Sequence, residues 1–341
     1  MKERLEYIQV LRGLFLILPV FHHLTANMNK LGILIALNTL QDQLLHRSVD
    51  VFFFISGFII TYIQKENYNP IKFLYKRLKR ILPLYYIVSY IIFLVYLYNP
   101  LLFNNSTGNK TDILSSFLLI QARNGYAPLL NVSWSLYYEV IFYCLFSIGI
   151  FIFRKKFIYF FVCIILLILF YFLKFKSFII LSNRSIDLCY IYEFCVGVLY
   201  CKYYKEKSIE NLLLILMSLL IFSYVNFYLS ILMIFSILIL ILFDILNDLY
   251  RMPKFLITLG DFSYYQYILH VPVMFCFRTL IQSLHLNSQT YYFKIFSVLI
   301  LFFGSYICSF AIYHYKYISQ SLITISKNKR LKNLTFKNDN K

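Results

Sequence analysis

Two ionisable residues, Arg12 and His23, lie within one apolar stretch, Leu5 to Ala26, near the start of the chain. Eleven residues at about 100° each come close to three full turns, so an α-helix places both side chains on one face, about 16 Å apart along its axis. Ionisable groups at membrane depth are costly and are usually functional. A histidine can remove a proton from a hydroxyl or carry an acyl group itself. The pair therefore predicts a membrane enzyme.

Further titratable residues recur on later apolar stretches. Asp50, Glu139 and His270 each fall in the outer half of a predicted membrane span, as His23 does. A carboxylate at that depth can orient an imidazole or accept a proton. We predict that His23, Arg12, Glu139 and Asp50 form the catalytic group. Two alternatives stay open: Arg12 contacts the donor or orders the bundle as partner of a buried acid, and Glu139 assists catalysis or is a counter-ion.

The composition predicts an all-α polytopic membrane protein. Of 341 residues, 60% are hydrophobic, 20% aromatic and only 14% charged, and the mean hydropathy is +0.69. Repeated stretches of about 20 apolar residues are what bilayer spans require. Leu31–Leu40 and Ile113–Ile120 are too short to span and are predicted to be interfacial or re-entrant. We predict ten transmembrane helices, at 7–26, 49–64, 81–98, 133–153, 157–173, 186–201, 211–226, 229–246, 256–282 and 292–315.

The net charge of +18 is distributed unevenly along the chain. With ten spans, most lysines and arginines lie in loops on the side of the termini, chiefly in Lys65–Arg80 and in the tail from Lys316. This bias predicts cytoplasmic termini in the cell (inner) membrane. The basic excess is then an orientation signal that attracts anionic membrane lipid, and no nucleic acid is expected as a partner. We predict one membrane domain, 1–316, followed by a short basic cytoplasmic tail, 317–341.

The segment Ile71–Arg80 is a basic helix in this prediction. Arg77 and Arg80 are three residues apart and share a helix face, so both can reach one anionic ligand. Guanidinium groups bind phosphate oxygens through paired hydrogen bonds. A positive-inside anchor is the alternative explanation. Coenzyme A, with phosphates at one end and a long thin arm that carries the thioester, would fit a channel that passes Arg12 on its way to His23.

Several other residues have weaker assignments. Trp134 is the single tryptophan and is either a membrane-interface residue or a stacking platform for a sugar ring. Ser133 and His270 are predicted with it as acceptor-binding residues, and packing is the alternative role of His270. Glu193 has no assigned role beyond pairing with a cation across the bundle. The seven cysteines lie mostly in apolar runs without metal-ligand spacing, so no metal is expected.

Five motifs occur in order along nearly the whole chain: Leu11–His23, Ser48–Ile60, Lys76–Tyr86, Ser133–Tyr143 and Ser263–Pro272. Together they resemble the acyltransferase-3 family of membrane O-acyltransferases. The run Asn131–Glu139 is most similar to the exopolysaccharide and O-antigen acyltransferases of that family. Pro19 departs from the apolar residue usual at this point of the family's first span, and it predicts a kink below His23.

The resemblance implies transfer of an acyl group, usually acetyl, from cytoplasmic acyl-CoA to a carbohydrate hydroxyl on the outer side. Arg12 and His23 match the family's essential pair, and Arg77 and Arg80 match its proposed contacts with the phosphates of acetyl-CoA. An envelope glycan acceptor and glycan-assembly proteins are the implied partners. Many relatives carry a soluble esterase-like domain after the last span, so we expect this chain to complete transfer itself or to hand over to a separate protein. A glycan-lipid transporter or flippase and a non-catalytic acyl-CoA sensor are the rival functions.

Overall fold

The described part of the chain is mainly α-helical. The structure is a computed structural model, and it describes residues 5–33, 39–63, 69–100, 110–122, 126–154, 160–162, 164–168, 187–284 and 290–338. The elements of the N-terminal half are α1 (Glu6–Lys30), α2 (Thr39–Ile63), α3 (Pro70–Tyr98), β1 (Lys110–Asp112), α4 (Ile113–Leu118), β2 (Tyr126–Pro128) and α5 (Ser133–Phe153). The later elements are α6 (Asp187–Glu206), α7 (Ile209–Val225), α8 (Phe227–Leu249), α9 (Lys254–Asp261), α10 (Ser263–Ser283) and α11 (Tyr291–Asn338).

Membrane-length helices are present in both halves of the chain. Within the described ranges, five helices are long and apolar enough to cross a bilayer: Glu6–Lys30, Pro70–Tyr98, Ser133–Phe153, Phe227–Leu249 and Tyr292–Tyr315. The helical, multi-pass character predicted from the composition is therefore confirmed. The count of ten spans and the cytoplasmic location of both termini stay predictions. Most of the predicted span 157–173 lies outside the described residues.

Three helix boundaries differ from the prediction. The basic segment and the third span form one helix, α3, which starts at Pro70 because the Asn69 side chain accepts a hydrogen bond from the backbone N–H of Lys72 at 3.0 Å. The predicted span 256–282 is two helices, because the backbone leaves the helical conformation at Phe262 (φ −94°, ψ 7°). α11 continues through Asn338, so the predicted tail begins inside a helix.

The chain forms two compact units, and each is described by itself. The first unit combines Met1–His23 with Ala36–Asp261, and the second combines Leu24–Ile35 with Phe262–Lys341. All predicted site residues except His270 belong to the first unit. The proposed division at residue 316 stays a prediction.

The first unit is built around the crossing of α2 and α6. A Cβ atom added at Gly57 would lie 2.1 Å from the carbonyl oxygen of Phe194, and one added at Gly197 would lie 2.1 Å from that of Phe54. Each glycine thus faces backbone of the other helix, three residues from the partner glycine. Small residues at such crossings let membrane helices approach closely. Buried aromatic rings surround the crossing, including Phe142, which stacks on Phe194 with ring centroids 4.1 Å apart.

The short helix α4 lies beside the middle of α3. The Tyr85 hydroxyl donates a hydrogen bond to the Ser116 carbonyl oxygen at 2.5 Å, and Tyr85 lies about 22 Å along α3 from its first residue. Asp112 accepts hydrogen bonds from the Ser115 backbone N–H and hydroxyl, at 3.2 and 2.7 Å. Backbone that is not part of a long helix is tolerated at membrane depth only when its polar groups are satisfied. The segment Ile113–Ile120 was predicted to be interfacial or re-entrant, and both alternatives stay open.

The second unit joins α10 and α11 with the last turns of α1. Gln266 Nε2 donates a hydrogen bond to Ser305 Oγ at 3.0 Å, and both residues are buried. Arg278 Nη1 donates to Asn27 Oδ1 at 3.0 Å, which ties α10 to the end of α1. Hydrogen bonds of this kind hold helices together where the surrounding lipid supplies no hydrophobic driving force.

We expect Gly57→Ala and Gly197→Ala each to destabilise the protein by about 2 kcal/mol or more, because the new methyl group can fit only if α2 and α6 separate. The measurement is thermal unfolding of the purified protein in detergent. Gly149→Ala is the matched control, since its added Cβ meets the Phe160 ring at 2.9 Å and that ring can turn. Equal melting temperatures for all three variants would contradict the proposed close crossing.

Candidate active site

Arg12 projects from α1 into a group of charged side chains of the first unit. It is half-buried, and its Nη1 donates a hydrogen bond to Gln9 Oε1 at 3.4 Å. Its guanidinium group interacts electrostatically with Arg80, Glu139 and Asp261. Three further helices, α3, α5 and α9, thus each bring one charge to the side chain that the sequence singled out.

The helix α5 contributes both Glu139 and Tyr143, one turn apart. The Tyr143 hydroxyl donates a short hydrogen bond to Glu139 Oε1. Arg77 lies over the Tyr143 ring, with its Cζ atom 5.9 Å from the ring centroid, and over the Phe73 ring at 5.5 Å. Tyr143 also interacts electrostatically with Arg77 and Arg80. We call Arg12, Arg77, Arg80, Glu139 and Tyr143 the arginine cluster.

The antiparallel packing of α3 and α5 explains why these residues meet. Ser147 Oγ donates a hydrogen bond to the Pro70 carbonyl oxygen at 3.0 Å, which fixes the start of α3 against the second half of α5. Counting back along α5 and forward along α3, at about 1.5 Å per residue, brings Glu139 to the level of Arg77 and Arg80. Arg12, Arg77 and Arg80 therefore come from two helices to the Glu139–Tyr143 pair of a third.

Glu139 and Arg12 interact electrostatically within the first unit. The sequence placed Glu139 in the outer half of a span, with His23 and Asp50, and Arg12 in the inner half, and both depths stay predictions. α5 begins at Ser133, whose side chain interacts with Tyr85 near the middle of α3. The interaction with Arg12 fits Glu139 as a counter-ion and as an assistant in catalysis, so both alternatives stay open.

The arginine cluster can bind an anion. The cluster has three guanidinium groups, and Glu139 and Asp261 are the two carboxylates whose charges act on Arg12. Positive charge therefore exceeds negative charge in the cluster. Arg12 and Arg77 are half-buried and Arg80 is exposed, so a ligand can reach them. Partly desolvated guanidinium groups bind phosphate through strong, charge-assisted hydrogen bonds.

His23 lies further along the same helix. α1 is continuous from Glu6 to Lys30 through Pro19, so about 16 Å of helix axis separates His23 from Arg12. The His22 and His23 rings meet edge to face, with centroids 5.4 Å apart. Both histidines are partly exposed. A ligand that reaches from the arginine cluster to His23 must therefore be long and thin.

Asp50 belongs to a second charged group, on α2 and α6. Its Oδ2 atom lies 3.5 Å from Arg47 Nη1. Glu193 interacts electrostatically with both Asp50 and Arg47. Glu193 is 0% exposed, and neither of its carboxylate oxygens forms a hydrogen bond with the described residues. Two buried carboxyl groups beside one guanidinium group carry more negative than positive charge when both are ionised, and such an excess is costly in a low-dielectric interior.

The predicted acceptor residue Trp134 adjoins this second group. Its ring centroid lies 5.1 Å from that of Tyr190 and 6.3 Å from that of Phe53. Tyr190 is one turn before Glu193, and Phe53 is one turn after Asp50, so these buried rings pack close to the carboxyl pair. Trp134 itself is partly exposed. The aromatic contacts leave both of its predicted roles open.

The remaining predicted acceptor residues belong to different units. Ser133 is buried at the start of α5 and interacts with Tyr85. His270 lies in the second unit, where it is 0% exposed and its Nδ1 atom is 2.9 Å from the Gln266 carbonyl oxygen. That bond is internal to α10 and fixes the ring within its own helix.

Sequence reasoning missed several members of these groups. Tyr143, Gln9, Asp261 and Arg47 received no role, although Tyr143 stands four residues after Glu139 and that spacing brings two side chains together on a helix. Glu193 was noted without a partner. Its neighbour Asp50 could not be predicted from residue spacing, because α2 and α6 are far apart in the sequence.

Comparisons with known proteins give one family. The sequence profile of the acyltransferase-3 family, described as an acyltransferase domain, matches residues 5–314. Exopolysaccharide production protein ExoZ of Rhizobium meliloti is 32% identical over 112 residues, which cover 31% of this chain and 35% of ExoZ. An uncharacterized protein of Haemophilus influenzae is 30% identical over 220 residues, which cover 51% of this chain and 85% of that protein. No solved structure gives a significant match.

We expect Glu139→Gln to lower the stability of the protein by about 1–3 kcal/mol, between the values for exposed and buried ion pairs, because Arg12 then loses a counter-charge while Arg80 still repels it. Thermal unfolding in detergent at low and high salt is the measurement. Salt should recover part of the loss by screening. Tyr143→Phe is the control: it removes one hydrogen bond, at about 1 kcal/mol, without a salt dependence. A salt-independent loss in Glu139→Gln would show that the carboxylate is not a counter-charge.

Proposed function

This chain belongs to the acyltransferase-3 family, and we propose that it transfers an acyl group, acetyl in the first instance, from cytoplasmic acyl-CoA to a hydroxyl group of an envelope polysaccharide or lipid-linked glycan. The convergence of Arg12, Arg77 and Arg80 in one accessible cluster is the observation that carries the proposal. An acyltransferase needs a site for its donor, and coenzyme A is the commonest anionic acyl carrier with several phosphate groups.

The donor binds with its phosphates at Arg77 and Arg80. Both residues lie in the first half of α3, toward the end that the basic loop is predicted to place on the cytoplasmic side. Arg12 contacts the donor deeper in the bundle. The pantetheine arm then follows α1 toward His23, and its length suits the axial separation of about 16 Å. When the donor is absent, the negative charge of Glu139 offsets the electrostatic repulsion between the arginines.

His23 acts at the thioester end. It removes the proton of the acceptor hydroxyl as that oxygen attacks the acyl carbonyl carbon. The new C–O bond forms as the C–S bond breaks, and the leaving CoA thiolate takes up the proton held by the imidazole. In a second route, His23 first accepts the acyl group and then passes it to the hydroxyl. Both routes need His23, and both release one CoA thiol for each ester formed.

The acceptor is a carbohydrate in this proposal. Support comes from ExoZ, a relative whose name refers to exopolysaccharide production, although the match spans about a third of that protein. Trp134 and Ser133 contact the acceptor on the outer side, and Asp50 receives a hydrogen bond from it or assists His23. The acceptor-binding role of His270 stays a prediction. Glycan-assembly proteins of the inner membrane would supply the acceptor.

A glycan-lipid transporter would use similar residues without making an ester. It would need neither a histidine at the end of the donor path nor an arginine cluster selective for coenzyme A. No described contact favours it over acyl transfer, and the two functions differ in their products.

We expect His23→Ala to abolish ester-linked acyl groups on surface glycans, because no other group on this path removes the hydroxyl proton. Mass spectrometry and NMR of the glycans from cells with matched membrane abundance of each variant give the measurement. His22→Ala is the matched control, since its side chain points about 100° away along the same helix and should leave the esters intact. Shortened or absent glycans would favour the transporter, and intact esters in His23→Ala would overturn the assignment.

We expect Arg77→Ala and Arg80→Ala each to raise the KM for acetyl-CoA by about tenfold or more, with a smaller effect on kcat, because each removes a charge-assisted bond to phosphate. Initial rates in membrane vesicles at varied donor concentration measure this. Lys79→Ala removes a charge from the same helix, and Lys79 lies over the Tyr75 ring, outside the arginine cluster. A KM that rises equally in Lys79→Ala would mean that only the general charge of the loop matters.

A further inference from the structure

A second cationic site lies at the other end of α1, within the second unit. Lys30 is the last residue of α1, and Arg278 stands five residues before the end of α10. Arg278 bonds to Asn27 at 3.0 Å, and Gln282 Nε2 donates to the Lys30 carbonyl oxygen at 3.4 Å. The two bonds, one turn apart on each helix, show that α1 and α10 run parallel here and end together.

Arg278 is buried and only partly satisfied. The residue is 8% exposed, and its Nε atom forms no hydrogen bond with the described residues. Its guanidinium group lies over the Phe275 ring, with the Cζ atom 5.1 Å from the ring centroid. A guanidinium group has five N–H donors, and a buried donor without an acceptor costs about 1–3 kcal/mol. The group therefore has unused capacity for an acceptor.

The neighbouring charge has the same sign. Lys30 and Arg278 interact electrostatically, and no carboxylate among the described residues interacts with either. The sequence explains this, because the second unit contains a single acidic residue, Asp339, which follows the distant end of α11. Lys30, Gln282 and Asn29 are exposed, so an anion can approach the pair from the helix ends.

The helix dipole is the competing explanation for cations at helix C-termini. It contributes about 0.3–1 kcal/mol and falls off within the last turn. Lys30, at the last position of α1, is accounted for in this way. Arg278 lies more than one turn before the end of α10, so the dipole explains neither its burial nor its proximity to Lys30. An anion that accepts hydrogen bonds from Arg278 and Lys30 explains the burial and the proximity.

We propose that Arg278 and Lys30 form a binding site for the phosphate group of a membrane lipid. They lie at the end of the membrane-length helix α1 and near the end of α10, which belongs to the predicted span 256–282. Lipid phosphates lie at the ends of membrane spans, and a guanidinium group is well suited to bind phosphate through two oxygens. The phosphate belongs either to a bilayer phospholipid or to the lipid that carries the glycan acceptor. The second source rests on the proposed function, and it would hold the acceptor lipid at the last turn of α1.

Binding to the purified full-length protein tests the site without any acyl transfer. The probes are nanodiscs or mixed micelles that contain phosphatidylglycerol or a polyprenyl phosphate, with phosphatidylcholine as the background lipid, and inorganic phosphate alone. Retained lipid is counted by native mass spectrometry, and affinity is followed by thermal shift. Arg278→Gln should weaken binding of the phosphate lipids about tenfold or more, and Lys30→Gln should weaken it several-fold. Lys294→Gln, which removes one charge at the start of α11, is the matched control and should leave binding unchanged.

The outcomes separate the sources and the proposals. Preference for the polyprenyl phosphate supports the acceptor lipid, and equal binding of both lipids supports the bilayer phospholipid. Inorganic phosphate that binds as tightly as the lipids would overturn a lipid site, as would unchanged binding in Arg278→Gln. If Arg278→Gln does not fold, Arg278→Lys keeps the charge but loses the planar fork, and should show intermediate binding. Because no step requires ester formation, failure of acyl transfer in other assays leaves this result intact.

Discussion

The charge balance of the arginine cluster is the constraint on which the first unit depends. Guanidinium groups from α1 and α3 can share one half-buried region only because Glu139 is delivered there by α5, with Tyr143 holding its carboxylate. The hydrogen bond from Ser147 to the start of α3 sets the offset between these helices. A shift of one turn in either helix would separate Glu139 from the arginines. The cluster still has more positive than negative charge, and a ligand with phosphate groups can neutralise the excess.

The two charged groups of the first unit have opposite character. The arginine cluster is rich in cations and is partly open, whereas the group on α2 and α6 has two buried carboxyl groups beside Arg47 and a lining of aromatic rings. In the proposed function each group binds a different substrate. The donor phosphates bind to the arginine cluster, and the sugar hydroxyls of the acceptor contact the carboxyl groups and aromatic rings on α2 and α6. The close crossing at Gly57 and Gly197 supports this arrangement, because it fixes Asp50 and Glu193 relative to each other across the two helices.

Residue spacing within one helix was enough to predict part of the site. The face shared by Arg12 and His23 and the pairing of Arg77 with Arg80 follow from helix periodicity alone. The partners of Glu139, Asp50 and Glu193 did not follow, because they depend on which helices pack together and at what offset. The helix break at Phe262 was also missed, because the apolar pattern continues through that position. The continuation of α11 past residue 316 was missed because the segment there is polar, and a polar segment was predicted to be a tail. The contact of Arg278 was overlooked because Arg278 lies within the predicted span 256–282, whereas its partner Asn27 lies on α1.

The most direct test of the account follows one acyl group across the membrane. Inverted membrane vesicles from glycan-producing cells present the cytoplasmic face outward, so acetyl-CoA with a labelled acetyl group can be supplied to that face only. The account predicts alkali-labile label on glycan inside the vesicles, with one free CoA thiol released for each ester. Label that stays in acetyl-CoA while glycan still enters the vesicles would contradict it and would identify the chain as a transporter.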